Sequence, residues 1–141
     1  MRVGAERDEQ NIARLRAAYA AFSRGDFEAA VAAGVHPDFE YVPAGGLAPI
    51  RGMDSFRSWM EPDAFDVQMV EPVEIEINAD GDRALVHQHT RVRGAGSGIE
   101  VETHTFGVWA IDDQGLAVRL EIFQEPDEGE ARRAAGLDAD S

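Results

Sequence analysis

The sequence predicts an α+β domain, with helices first and then an antiparallel sheet whose one face those helices cover. Three observations predict it. Ile12, Leu15, Tyr19 and Phe22 recur at spacings of three and four, the apolar stripe of a helix. From Val73 onward apolar and polar residues alternate in runs, the period of strands. Between the runs stand NADGD (78–82), GAGSG (94–98) and DDQG (112–115), each a turn that reverses the chain.

The elements follow in order. The first helix ends at Ser23-Arg24-Gly25, where Gly25 suits the left-handed position just past a helix. Asp26 can cap a second helix over 27–33. His36-Pro37-Asp38 ends that hairpin, and 39–42 reads as a short strand. Residues 43–52 (PAGGLAPIRG) are a loop by composition. A third helix starts at Asp54 or Ser55, carries Phe56, Trp59 and Met60 on one face, and stops at Pro62. Strands are expected over 73–77, 83–93, 99–111 and 116–125. The tail from Pro126 is polar and acidic, reads as a solvated end, and contains a short alanine-rich stretch of helical composition.

The chain has 141 residues and a formal charge of −14, with a pI near 4.5. That length suits one domain spanning 1–141, with its core over about 9–137. A surface this negative repels phosphate, so neither nucleic acid nor an anionic membrane is an expected partner. No stretch is long and apolar enough to span a bilayer, and the N-terminal residues lack an export signal, so the cytoplasm is the expected compartment. The chain lacks cysteine, which removes disulfides, thiolate metal sites and thiol nucleophiles. Every basic residue is arginine, so there is no lysine for a Schiff base or a phosphate loop. No cofactor is expected.

Strand parity divides the sheet into two faces. Val118, Leu120, Ile122 and Gln124 share one face of the last strand. Val101, Thr103, Thr105, Gly107, Trp109 and Ile111 match them on the strand before, and Val86, Gln88, Thr90 and Val92 on the one before that. The opposite face holds His87, His89, Arg91, Arg93, Glu100, Glu102, His104, Arg119 and Glu121. Burying unpaired charge is costly, so the helices should cover the first face. That face mixes apolar residues with Gln88, Thr90, Thr103, Thr105 and Gln124, the pattern of a small-molecule pocket. On the outer face Phe106, Val108 and Phe123 form an apolar centre with a charged rim, as in an interface.

The order of a helix, RGDFEAA, HPDFEYVP, PIRG before a helix, and long strands containing AIDDQGLAVRLEIF resembles the SnoaL-like branch of the nuclear transport factor 2-like superfamily. The resemblance covers about residues 9–137. It implies a cystatin-like cone, a curved antiparallel sheet wrapped around the N-terminal helices with a pocket at the open end, and a homodimer paired through the outer sheet face. The positions of the family's ketosteroid isomerase residues fall on Pro43 for the base, Ala18 for the oxyanion-hole tyrosine and Gly107 for the protonated acid. The epoxide hydrolase relay falls on Thr90, Gln88 and Ile122, and only its water-holding tyrosine has a counterpart, Tyr41. Both family chemistries lack their carboxylates, and fold alone does not assign a reaction.

The expected function is binding of a small hydrophobic or carbonyl-bearing molecule, with isomerase, cyclase or hydratase chemistry if there is turnover. The pocket residues are Tyr19, Phe22, Tyr41, Phe56, Trp59, Gln88, Thr90, Thr103, Thr105, Trp109 and Gln124. A catalytic base is available only as His89, and only if a β-bulge in its strand turns that side chain inward. One alternative is a non-catalytic dimeric binding or regulatory module. Another is a metal site formed by His87, His89 and His104 on the outer face.

Overall fold

A computed structural model gives the architecture, and it describes residues 5–24, 26–43, 48–52, 54, 65–78, 80–94 and 96–137. Helix α1 spans Ala5–Ser23 and buries Asn11, Leu15, Ala18, Tyr19 and Phe22 along one stripe. Helix α2, Phe27–Gly34, begins where expected: the Asp26 carboxylate accepts from the Ala29 N–H at 3.1 Å. The expected role of Gly25 and the third helix with Phe56 and Trp59 fall outside the described residues.

Six strands form one open, curved sheet: β1 Val35–Val42, β2 Ile50–Arg51, β3 Phe65–Ile77, β4 Arg83–Gly94, β5 Glu100–Ile111 and β6 Ala117–Gln124. Their spatial order is β2-β1-β6-β5-β4-β3. All neighbours are antiparallel except β1 and β6, which run parallel. The sheet is therefore mixed at one junction, between β1 and β6, which are joined through the other four strands and not by a tight turn.

Three strands depart from the sequence expectation. β1 starts at Val35, so His36-Pro37-Asp38 lies within an irregular strand whose register shifts between Val35 and Glu40. Ile50 and Arg51, read as loop, pair with Tyr41 and Glu40. β3 begins eight residues before Val73. Pro72 conceals it, since proline reads as a strand breaker. β3 is an edge strand, where a missing N–H is tolerated, and the ladder skips Val73 just after Pro72. Val73 is accordingly 55% exposed, not one of the inward residues.

The core lies between α1, α2 and the inner sheet face. It joins Leu15, Tyr19 and Phe22 to Phe39, Val86, Trp109, Ile111 and Leu120. At the start of β6 a register shift puts Ala117, not Val118, into this core. A short 3-10 turn, Glu125–Asp127, leads into a last helix α3, Glu128–Ala134. This segment is not a solvated end. Ala131 and Ala135 are fully buried against Leu85, Phe106 and Val108 on the outer face. Arg132 Nη1 donates to Glu76 Oε2 at 2.7 Å and fastens α3 to β3. No helix of the described residues is long and apolar enough to cross a membrane.

Candidate functional site

The inner face carries a chain of buried hydrogen bonds. The Trp109 indole Nε1–H donates to Tyr19 Oη at 2.9 Å. Tyr19 Oη–H donates to Gln88 Oε1 in a short contact, and Gln88 Nε2–H donates to Thr105 Oγ1 at 3.0 Å. The four groups come from three elements: Tyr19 from α1, Gln88 from β4, and Trp109 and Thr105 from β5, four residues apart on one face. The Tyr19 and Trp109 rings also meet edge to face at 5.6 Å. Burial pushes the Tyr19 phenol well above its ordinary value, although the Trp109 donor works the other way. Burial likewise pushes Tyr41 up to about 12. Both are neutral hydrogen-bonding groups at ordinary pH.

Gly107 makes room for this chain. A Cβ there would lie 2.7 Å from Gln88 Oε1 and 2.9 Å from Leu120 Cδ1. The amide of Gln88 therefore occupies the space that a side chain at position 107 would need.

Not all of the expected pocket residues share one level. Tyr19, Gln88 and Trp109 are buried beneath the surface, and Phe22 closes the C-terminal end of the α1 stripe. Tyr41, Thr90 and Thr105 are half-buried, and Ile50, Val70 and Ile122 pack beside the core. Thr103 and Gln124 are exposed at the margin. The residue that sequence reasoning misses is Ser23, whose Oγ donates to the Val70 carbonyl and accepts from its N–H, both at 3.1 Å, pinning the helix end to β3. Its only signal is its place at a helix terminus.

His89 does not turn to the inner face. The β4–β5 ladder runs from Arg83↔Ala110 to Arg93↔Glu100 without a register shift, so the bulge that would turn His89 inward is absent from that ladder. The shifts of the β3–β4 pair fall at Phe65/Val67 and Pro72/Glu74, where β3 carries the extra residues. His89 lies opposite His104, with Nε2 3.6 Å from Glu102 Oε2. Its ring stacks on His104 at 4.9 Å, and His87 stacks on Phe106 at 5.0 Å. The imidazoles stack instead of converging, and among the described residues no group of three His, Cys, Asp or Glu is placed to hold a metal ion.

The outer apolar centre is likewise spoken for. α3 covers Phe106 and Val108, each 6% exposed, from within the same chain. Beside α3 runs an open cleft of about 500 Å³ lined by Glu74, Glu76, Leu85, His87, Phe106, Glu125, Glu128 and Arg132.

An open sheet folded over two helices, with neutral polar groups set into an apolar inner face, defines the nuclear transport factor 2-like class. Within it, the SnoaL-like domain family matches residues 15–120, and the chain belongs to that family. Three solved structures illustrate the likeness. TerC, co-crystallised with polyporic acid, is 25% identical with a TM-score of 0.69, covering 88% of this chain and 98% of TerC. RV0760c from Mycobacterium tuberculosis, in complex with estradiol-17β-hemisuccinate, is 13% identical with a TM-score of 0.69, covering 84% and 95%. The epoxide hydrolase/cyclase-like enzyme SalBIII, of pyran ring formation in polyether salinomycin, is 16% identical with a TM-score of 0.68, covering 87% and 93%. No curated protein matches the chain.

Proposed function

We propose that the chain binds a small, largely apolar molecule at the open end of the cone. The observation that carries this reading is the inner face itself. Its half-buried upper level offers Tyr41, Thr90 and Thr105 among Ile50, Val70 and Ile122, neutral hydroxyls in an apolar setting. Relatives of the same fold have been crystallised with polyporic acid and with estradiol-17β-hemisuccinate, ligands of the size such a site takes. Of the sheet residues facing inward among those described, none is a carboxylate or an imidazole, which favours binding over proton-shuttling catalysis.

Isothermal titration calorimetry with polyporic acid and with estradiol-17β-hemisuccinate tests the reading. Saturable binding of at least one, weakened by Thr90→Val or Tyr41→Leu, is expected. Heats that never saturate for either compound, or affinities that ignore both substitutions, overturn it.

The reading includes a homodimer through the part of the outer face that α3 leaves open. Arg91 and Arg93 on β4 lie opposite Glu102 and Glu100 on β5, a charge pattern that can pair with its own copy about a twofold axis. Light scattering coupled to size exclusion is expected to report twice the chain mass, and the monomer mass at micromolar concentration overturns this part.

A further inference from the structure

The inference rests on the open end of the cone being a ligand pocket, and it names what that pocket selects. An indole N–H can only donate. Trp109 donates to Tyr19, so the single hydroxyl proton of Tyr19 must find an acceptor elsewhere. Tyr19 is 2% exposed, and that acceptor is Gln88 Oε1. The orientation of the Gln88 amide is thereby settled. Were it flipped, its NH2 and the indole would both donate to Tyr19, and the phenolic proton would be left buried and unpaired. With the carbonyl toward Tyr19, the amide N–H faces Thr105 and donates to its Oγ1.

Thr105 stands at the end of this line. Its oxygen already accepts from Gln88, while its own proton has no acceptor among the described residues. Beneath it on β5, Gly107 and Trp109 are buried; above it, Thr103 is exposed. Thr105 is therefore where the bonded interior meets open space. Thr90, opposite Thr103, also has no side-chain hydrogen bond among the described residues.

We infer that the one-way chain Trp109 → Tyr19 → Gln88 → Thr105 ends in a hydroxyl that must donate into the pocket, so that the site selects ligands presenting a hydrogen-bond acceptor, such as a ring carbonyl. A ligand N–H could use the second lone pair of Thr105 only by leaving the threonine proton unpaired in a closed site. Thr105 determines specificity, and Gln88, Tyr19 and Trp109 are positioning residues. Burial holds the Tyr19 proton in place far above neutral pH, so the direction of the chain is constant.

Three tricyclic compounds of nearly equal shape test this: 9-fluorenone with a carbonyl, fluorene with a methylene and carbazole with an N–H. Equilibrium dialysis is expected to show fluorenone bound about tenfold more tightly than fluorene, the net value of one neutral hydrogen bond near the top of its range. Carbazole, which also offers no acceptor, should show no comparable advantage over fluorene. Thr105→Val should abolish the fluorenone advantage over fluorene, and Thr105→Ser should retain it. Gln88→Met, checked for folding by near-ultraviolet circular dichroism, should reduce the fluorenone-to-fluorene ratio. A merely structural role for Gln88 would weaken all three compounds alike. Equal affinities, or a preference for carbazole, overturn the inference and leave the pocket standing. Failure of all three to bind overturns the inference, and the pocket reading falls with it only where polyporic acid and estradiol-17β-hemisuccinate also fail to bind.

Discussion

At the scale of single residues, the buried hydroxyl of Tyr19 is the most consequential atom described. It accepts from Trp109 and donates to Gln88, so its removal orphans two buried groups at once. Leaving a buried polar group unpaired costs about 1–3 kcal/mol, so Tyr19→Phe should lower stability by about 2–4 kcal/mol in urea unfolding. Adding Gln88→Met to that variant should cost less than the sum of the two changes, because both disrupt one network. Gly107 is needed for close approach, not for backbone freedom. Gly107→Ala would drive a methyl into Gln88 and Leu120, and a loss of about 1–3 kcal/mol is expected by the same measurement.

Among the elements, α3 has the clearest consequence. It and the residue that ends it bury two alanines, Ala131 and Ala135, against Leu85, Phe106 and Val108 of the outer face. Ala131→Glu would bury a carboxylate in that contact, and a chain ending at Gln124 would lack the cover altogether. Both variants are expected to bind the dye ANS strongly where the intact chain does not, and to self-associate through the uncovered patch. Arg132→Ala should do much less. Its ion pair with Glu76 is partly exposed, with side chains 19% and 37% accessible, and contributes at most about 1 kcal/mol. At α2, Asp26→Ala removes the cap on the Ala29 N–H and should cost about 1 kcal/mol.

For the molecule as a whole, the two tyrosines set its behaviour in alkali. They are the only ones in the chain, and burial raises both above the ordinary tyrosine value of about 10. A raised folded value means the native state holds its protons longer than the unfolded chain. Stability is therefore unaffected below pH 10, then falls as pH rises past it toward about 12, where Tyr41 ionises in the fold. Absorbance at 295 nm should show no tyrosinate in the folded protein at pH 10.5, and should rise together with loss of circular dichroism at higher pH. Tyrosinate forming near pH 10 while the fold persists would contradict the burial of both rings.

The sequence by itself determined the local layout. Spacing located α1, Asp26 announced α2, and parity assigned the faces of β4 and β5 correctly, because a charged face cannot be buried and a register slip would invert every side chain. Four of the residues it named as pocket lining, Tyr19, Gln88, Thr105 and Trp109, form one bonded line that strand parity could not announce. Tertiary structure decided what depends on contacts between distant segments. The first half of β3 was hidden behind Pro72, since only its edge position makes that proline acceptable. The parallel β1–β6 pairing, the exchange of Val118 for Ala117 and the docking of α3 over Phe106 and Val108 all depend on which surfaces meet. Periodicity records how a segment is amphipathic, but the partner that covers its apolar side is chosen by the shape of the assembled sheet.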